Sequence, residues 1–195
     1  MTRSPHTLPP DYFTALYASN PDPWDFTTSP YEHAKYDATL AALGRETYPQ
    51  AVEVGCSIGV LTHRLAERCT ALLALDVAET ALDAARARCA AQPHVTFRRA
   101  AVPAEWPPGR FDLVVLSEVL YFFTPEDLAR IAERLVAALN PGGEVVLVHW
   151  LGETNFPLSA DAAVGTLIDR TRGALEPGQR SRTEGYRLDV LRAPT

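Results

Sequence analysis

A short apolar stretch, Ala51-Val52-Glu53-Val54, runs straight into a turn carrying Gly55 and Gly59, and Val60 to Arg68 then has a helical pattern. Asp76 closes the next apolar run, Leu72-Leu73-Ala74-Leu75, 21 residues after Gly55. A strand that turns through glycines into a helix brings backbone N–H groups and a helix N-terminus close to a ligand. In a nucleotide-binding βαβ unit, an acid at the end of the second strand grips ribose hydroxyls. Together the two features predict a parallel α/β sheet with a ligand at its carboxyl edge. The plainer alternative is an ordinary strand–turn–helix with Asp76 as a helix cap.

Glu53 bears on which ligand. A dinucleotide fold keeps an apolar residue there, because a negative pyrophosphate lies nearby. The pattern Gly-x-Gly-x-x-Gly is also absent, since Ser57 stands at the second glycine position. S-adenosylmethionine has no phosphate and carries an ammonium and a sulfonium, so a carboxylate beside the loop suits it. The expected cofactor is S-adenosylmethionine, leaving S-adenosylhomocysteine as product.

With 195 residues, the chain is long enough for one domain with a sizeable core. A net charge of -6 argues against a nucleic-acid partner, which needs a basic footprint. No apolar run approaches the length of a membrane span, and the first residues lack the apolar core of a signal peptide. Cys56, Cys69 and Cys89 are odd in number and widely spaced, as expected for reduced thiols in the cytoplasm rather than a disulfide frame or metal site. Lys35 is the only lysine.

The first 30 residues are rich in proline and aromatics, and Pro21, Pro23 and Pro30 exclude a long helix there. Residues 31–43 are helical in pattern. Strands are expected at 51–54, 71–75, 95–98, 111–116 and 144–149, with helices at 59–68 and 78–91 between them. Phe111 to Leu116 is nearly all apolar, as in a strand buried on both faces. Thr124, Pro125 and Asp127 open the clearest helix, which Asn140-Pro141-Gly142-Gly143 ends. A helix at 161–172 and a strand at 186–191 complete the pattern. The expected fold is α/β: a Rossmann-like, doubly wound, mostly parallel seven-stranded sheet with helices on both faces. Residues 1–195 form one domain, with 1–45 as a lid, 46–150 as cofactor core and 151–195 on the acceptor side.

The stretch Glu53-Val54-Gly55-Cys56-Ser57-Ile58-Gly59 resembles the first motif of Rossmann-like S-adenosylmethionine-dependent methyltransferases. Leu75-Asp76-Val77-Ala78 resembles their second, Phe111 to Tyr121 their fourth-strand motif, and Asn140 to Leu147 the turn into the fifth strand. A narrower likeness joins Asp22-Pro23-Trp24, Ser29-Pro30-Tyr31-Glu32, the loop cysteine and Ser117-Glu118-Val119-Leu120-Tyr121 to the nodulation-protein-S methyltransferases. That resemblance implies N-methylation of an amine on a sugar or small molecule. It departs from the wider pattern at Arg99-Ala100-Ala101-Val102, where relatives place an acid for the adenine. Backbone groups near Ala101 and apolar contacts from Val102 are expected to serve instead.

Residues at the carboxyl ends of strands are the site candidates. Gly55, Cys56, Ser57, Gly59, Glu53, Asp76, Val77 and Ser117 are assigned to the cofactor. Tyr31 and Lys35, four apart on one helix face, are expected to close over it, with Lys35 or a tyrosine hydroxyl meeting its carboxylate. Glu118 and His149 are the candidate bases. Trp24, Tyr121 and Trp150 are assigned to the acceptor. The rival readings are an O-methyltransferase, a non-catalytic cofactor-binding module and, least favoured, a nicotinamide oxidoreductase. No metal is expected, and the sequence says nothing of oligomeric state.

Overall fold

A computed structural model describes residues 2–195; Met1, the first residue of the expected lid, lies outside the described residues. Seven strands form one sheet: β1 (Tyr48–Val54), β2 (Cys69–Asp76), β3 (Val95–Arg99), β4 (Phe111–Ser117), β5 (Leu139–Trp150), β6 (Glu176–Arg182) and β7 (Tyr186–Arg192). Their order is β3-β2-β1-β4-β5-β7-β6. β1 to β5 run parallel, and β7 is antiparallel to both β5 and β6. The order reverses between β1 and β4, so a crevice opens beyond Val54 and Ser117.

Alternate residues of the central strands feed two cores, one on each face. Val114 and Leu116 pack with Leu128, Ile131 and Leu135 of helix α5 (Pro125–Ala138). Leu113 and Val115 pack on the other face with Leu61 and Leu65 of α3 (Val60–Leu65) and Tyr36 of α2 (Pro30–Ala41). β4 is therefore buried on both faces, as its apolar run predicts. Thr124 caps α5, its hydroxyl accepting from the Asp127 N–H at 3.4 Å. The remaining helices are α1 (Pro10–Ser19), α4 (Glu79–Arg88) and α6 (Ala160–Thr171). Among the described residues no helix is long and apolar enough to cross a membrane.

Three local features were not located by the sequence pattern. Helix α1 forms among the early prolines because Pro10 occupies its first turn, where a missing N–H costs nothing. The Asn140–Gly143 segment does not stop before β5 but belongs to it, with a register shift against β4 between Phe111 and Leu113. β6 is an additional edge strand, exposed at every residue, which pairs only with β7.

Candidate active site

The glycine loop sits where β1 leaves the sheet. Gly55 has φ +78°, and a Cβ there would lie 2.2 Å from Val119 Cγ1, so only glycine fits. The Gly55 and Cys56 N–H groups both donate to the Leu75 carbonyl, at 2.7 and 2.8 Å. The Ser57 N–H donates to Asp76 Oδ2 at 2.9 Å. These three N–H groups, expected to face a ligand, instead tie the loop to β2. Gly59 opens α3 and packs against Ala85 behind the loop; it does not line the cavity.

A cavity of about 1110 Å³ spans the crevice. It is just above the usual range for small-molecule sites, with room for a nucleoside cofactor and an acceptor side by side. Glu53, Gly55, Cys56, Ser57, Asp76 and Val77 line one end, with Ala101 and Val102 beside them. Asp76 Oδ1 accepts from the Ala78 N–H at 2.9 Å, so both carboxylate oxygens are oriented by backbone. Burial pushes its pKa up, against the pull of those N–H groups. Glu53 is buried and accepts from the Thr62 hydroxyl at 2.6 Å. Burial raises its pKa to about 7, with Thr62 opposing and Asp76 adding. The Cys56 thiol is buried too and held well above its usual pKa, which excludes a reactive thiolate.

Ser117, Glu118, Tyr121 and Trp150 also line the cavity, as do Trp24, Tyr31 and Lys35 from the N-terminal extension. Lys35 is 1% exposed, and its Nζ lies 2.8 Å from Glu32 and 2.5 Å from Glu118. The expectation that Lys35 meets a cofactor carboxylate is corrected: two protein carboxylates hold it already. Its ammonium sits 5.2 Å from the centre of the Tyr31 ring. Glu118 stands at φ +59°, a left-handed conformation that costs a non-glycine residue, fixed here by three contacts. Its Oε1 accepts from Lys35, and its Oε2 accepts from the Tyr121 hydroxyl at 2.6 Å and the Trp150 N–H at 2.9 Å. A carboxylate so occupied is a structural hub rather than the free base expected of it.

His149 requires a further correction. It is fully buried, and it lies outside the cavity lining. Its Nε2 accepts from the Leu120 N–H at 3.0 Å, while Nδ1 has no partner among the described residues. Burial, with Arg187 and Lys35 adding, lowers its pKa to about 3. A neutral histidine whose acceptor nitrogen is taken cannot remove a proton from an acceptor. A His149→Asn variant should therefore keep the wild-type pH–rate profile between pH 6 and 9; loss of an inflection in that range would restore the base role.

The Ala101 N–H, expected to serve the adenine, donates to Glu105 Oε2 at 2.7 Å. An acid after β3 thus exists, six residues beyond Arg99, and the chain folds it back on its own backbone. Trp24 lines the cavity and also packs on Ile58 and Val60, stacked on Phe26 at 5.4 Å. Tyr31 and Trp150 are 39% and 40% exposed, among the few large apolar side chains open to solvent. Sequence reasoning missed Tyr17 and Glu32, both of which line the cavity. Glu32 carried a signal, three residues before Lys35 on one helix; Tyr17 carried none.

The fold and this arrangement of acids about a glycine loop are those of the Rossmann-like S-adenosylmethionine-dependent methyltransferase class. The family model of nodulation protein S (NodS) matches residues 16–150, and the chain belongs to that family. Nodulation protein S of Rhizobium tropici is 33% identical over 127 residues, covering 64% of this chain and 53% of that protein. An uncharacterized methyltransferase of Mycobacterium tuberculosis is 33% identical over 116 residues, covering 60% of this chain and 58% of its own. The match thus spans a little over half the length of these curated relatives. A Pseudomonas syringae structure assigned as a methyltransferase superposes with TM-score 0.72 at 36% identity, over 83% of this chain and 98% of that one. The N-methyltransferase NodS of Bradyrhizobium japonicum WM9, in complex with S-adenosylhomocysteine, superposes with TM-score 0.83 at 23% identity, over 95% and 99%.

Proposed function

We propose that this chain transfers a methyl group from S-adenosylmethionine to the nitrogen of an amine on a small molecule or sugar. One observation carries the choice of nitrogen: neither candidate base, Glu118 or His149, is free in the cavity. Glu118 is occupied by three donors, and His149 is buried outside the cavity. A hydroxyl acceptor needs such a base, whereas an amine needs only to arrive with its lone pair free. The acceptor wall also carries two carboxylates, Glu32 and Glu118, against the single ammonium of Lys35, which favours a basic ligand.

The residues present fit the cofactor. Gly55, Cys56 and Ser57 line the cavity beside the buried carboxylates of Glu53 and Asp76, which suit a ligand with cationic groups and a ribose. Bound S-adenosylmethionine supplies a methyl group activated by a sulfonium. The work of the chain is alignment, which contributes roughly 7–11 kcal/mol in favourable cases. Asp76 and Val77 hold the nucleoside end, Glu53 and the loop the amino-acid end, and Ser117 the wall between cofactor and acceptor. Tyr121 and Trp150 flank the acceptor, while the described part of the extension, residues 2–45, covers the cavity through Trp24 and Tyr31 as a lid of the same domain. Three cysteines without disulfides support a cytoplasmic location.

Calorimetric titration with S-adenosylmethionine, S-adenosylhomocysteine and NAD, followed by an amine and amino-sugar screen, tests the reading. Micromolar binding of the first two, no binding of NAD and a methyl group found on nitrogen are expected. Binding of none would overturn the cofactor, and a methyl group found on oxygen would overturn the acceptor class. Glu53 adds a pH signature. Below about 7 its carboxyl is protonated; above, it is ionised and attracts a cationic ligand. Affinity for S-adenosylmethionine should rise from pH 5.5 to 7.5, about tenfold for each unit by which binding lowers that pKa. Glu53→Gln should flatten the rise; an unchanged slope would remove Glu53 from the cofactor contacts.

A further inference from the structure

The N-terminal extension reaches the glycine loop through one side chain. Tyr17 of α1 is 6% exposed and packs on Ile58, Ala78 and Ala81, with Trp24 against its ring edge at 5.8 Å. Its hydroxyl donates to Ser57 Oγ at 2.5 Å. Ser57 has φ +51°, a left-handed conformation that a serine holds only when its surroundings fix it. Two contacts fix it here, the Tyr17 hydroxyl on its side chain and the Asp76 carboxylate on its N–H.

The hydrogen-bond directions then matter. The Tyr17 hydroxyl donates in that pair, so Ser57 Oγ is the acceptor. The proton of Ser57 has no acceptor among the described residues, and Ser57 lines the cavity beside Asp76. With the Gly55 and Cys56 N–H groups committed to Leu75, that proton is a donor the loop has left to offer. An ionised carboxylate only accepts, so Asp76 binds the hydrogens of a vicinal diol and leaves the diol oxygens without a donor. Ser57 is placed to supply one.

We propose that Tyr17 is a positioning residue, which holds Ser57 so that the serine hydroxyl donates to the ribose diol gripped by Asp76. The nucleoside half of the site is then completed by helix α1 and is not built from the central sheet alone. This rests on the reading of the cavity as the S-adenosylmethionine site.

The test is calorimetry of Tyr17→Phe, Ser57→Ala and the double variant against S-adenosylhomocysteine and its 2′-deoxy and 3′-deoxy analogues. Phenylalanine keeps the ring packing, and thermal unfolding checks that it does. Each single variant should weaken S-adenosylhomocysteine binding about fivefold to tenfold. The double variant should be no weaker than Ser57→Ala. At least one deoxy analogue, having lost the contact already, should bind the wild type and Tyr17→Phe alike. Tyr17→Phe binding as tightly as wild type would overturn the proposal. So would a loss that persists in the Ser57→Ala background and on both deoxy analogues, since that is the mark of packing. If the wild type binds no S-adenosylhomocysteine, the cofactor reading itself fails, and the proposal fails with it.

Discussion

Asp76→Ala is expected to weaken S-adenosylmethionine binding by about 2–4 kcal/mol, roughly 30-fold or more, because a charged acceptor is lost from the ribose contacts. The substitution also orphans two backbone donors, the N–H groups of Ser57 and Ala78. Unpaired N–H groups loosen the loop that Gly55 and Cys56 fasten to Leu75, so the loss should exceed that of one ligand contact. Asp76→Asn separates the two effects. Its carbonyl oxygen still accepts one of those N–H groups, so folding is better preserved while the charge is gone. Calorimetry beside thermal unfolding reads both quantities. An Asp76→Ala protein with wild-type affinity would remove Asp76 from the cofactor site.

Lys35→Met should destabilise the fold by about 3–5 kcal/mol, the range for breaking a buried ion pair from one side. The ammonium is 1% exposed between side chains of Glu32 and Glu118 that are themselves 10% and 15% exposed. Methionine fills the same space and leaves two carboxylates facing each other without a counter-charge. Burial already raises the pKa of Glu32, opposed first by Lys35. Without Lys35 that pKa rises further. A raised folded-state pKa means that ionisation costs stability above the ordinary carboxylate range and that protonation relieves the cost. The defect should therefore shrink as pH falls from 8 towards 5. Adding Glu118→Gln should recover part of the loss by removing one of the opposed charges. Urea unfolding at both pH values measures it; a loss under about 1 kcal/mol would show that the triad is solvated and not structural.

The alternation of strands and helices was legible because parallel strands buried on both faces leave long apolar runs. Phe111–Leu116 is such a run, and the cap signals Thr124, Pro125 and Asp127 mark the helix after it. Helix α1 was not legible, since prolines crowd its start and it has no strong apolar stripe; its order comes from Phe13 packing on Phe122 and from Tyr17. Strand β6 was not legible either, because Glu-Pro-Gly-Gln-Arg-Ser-Arg has no buried face and is a strand only by pairing with β7.

The same division runs through the site. Glu53, the glycines and Asp76 lie within 24 residues of one another, and local geometry ties them: a strand, a turn that only glycine permits, and the end of the next strand. The sequence by itself therefore determined the sheet class, the loop and the acids beside it. What Lys35, Glu118 and His149 do was decided by contacts between residues far apart in the chain. Lys35 is spent on Glu118, 83 positions away, and His149 accepts from Leu120 across two strand ends. A side chain's chemistry depends on its partners and its burial, and only packing of the whole chain supplies those partners.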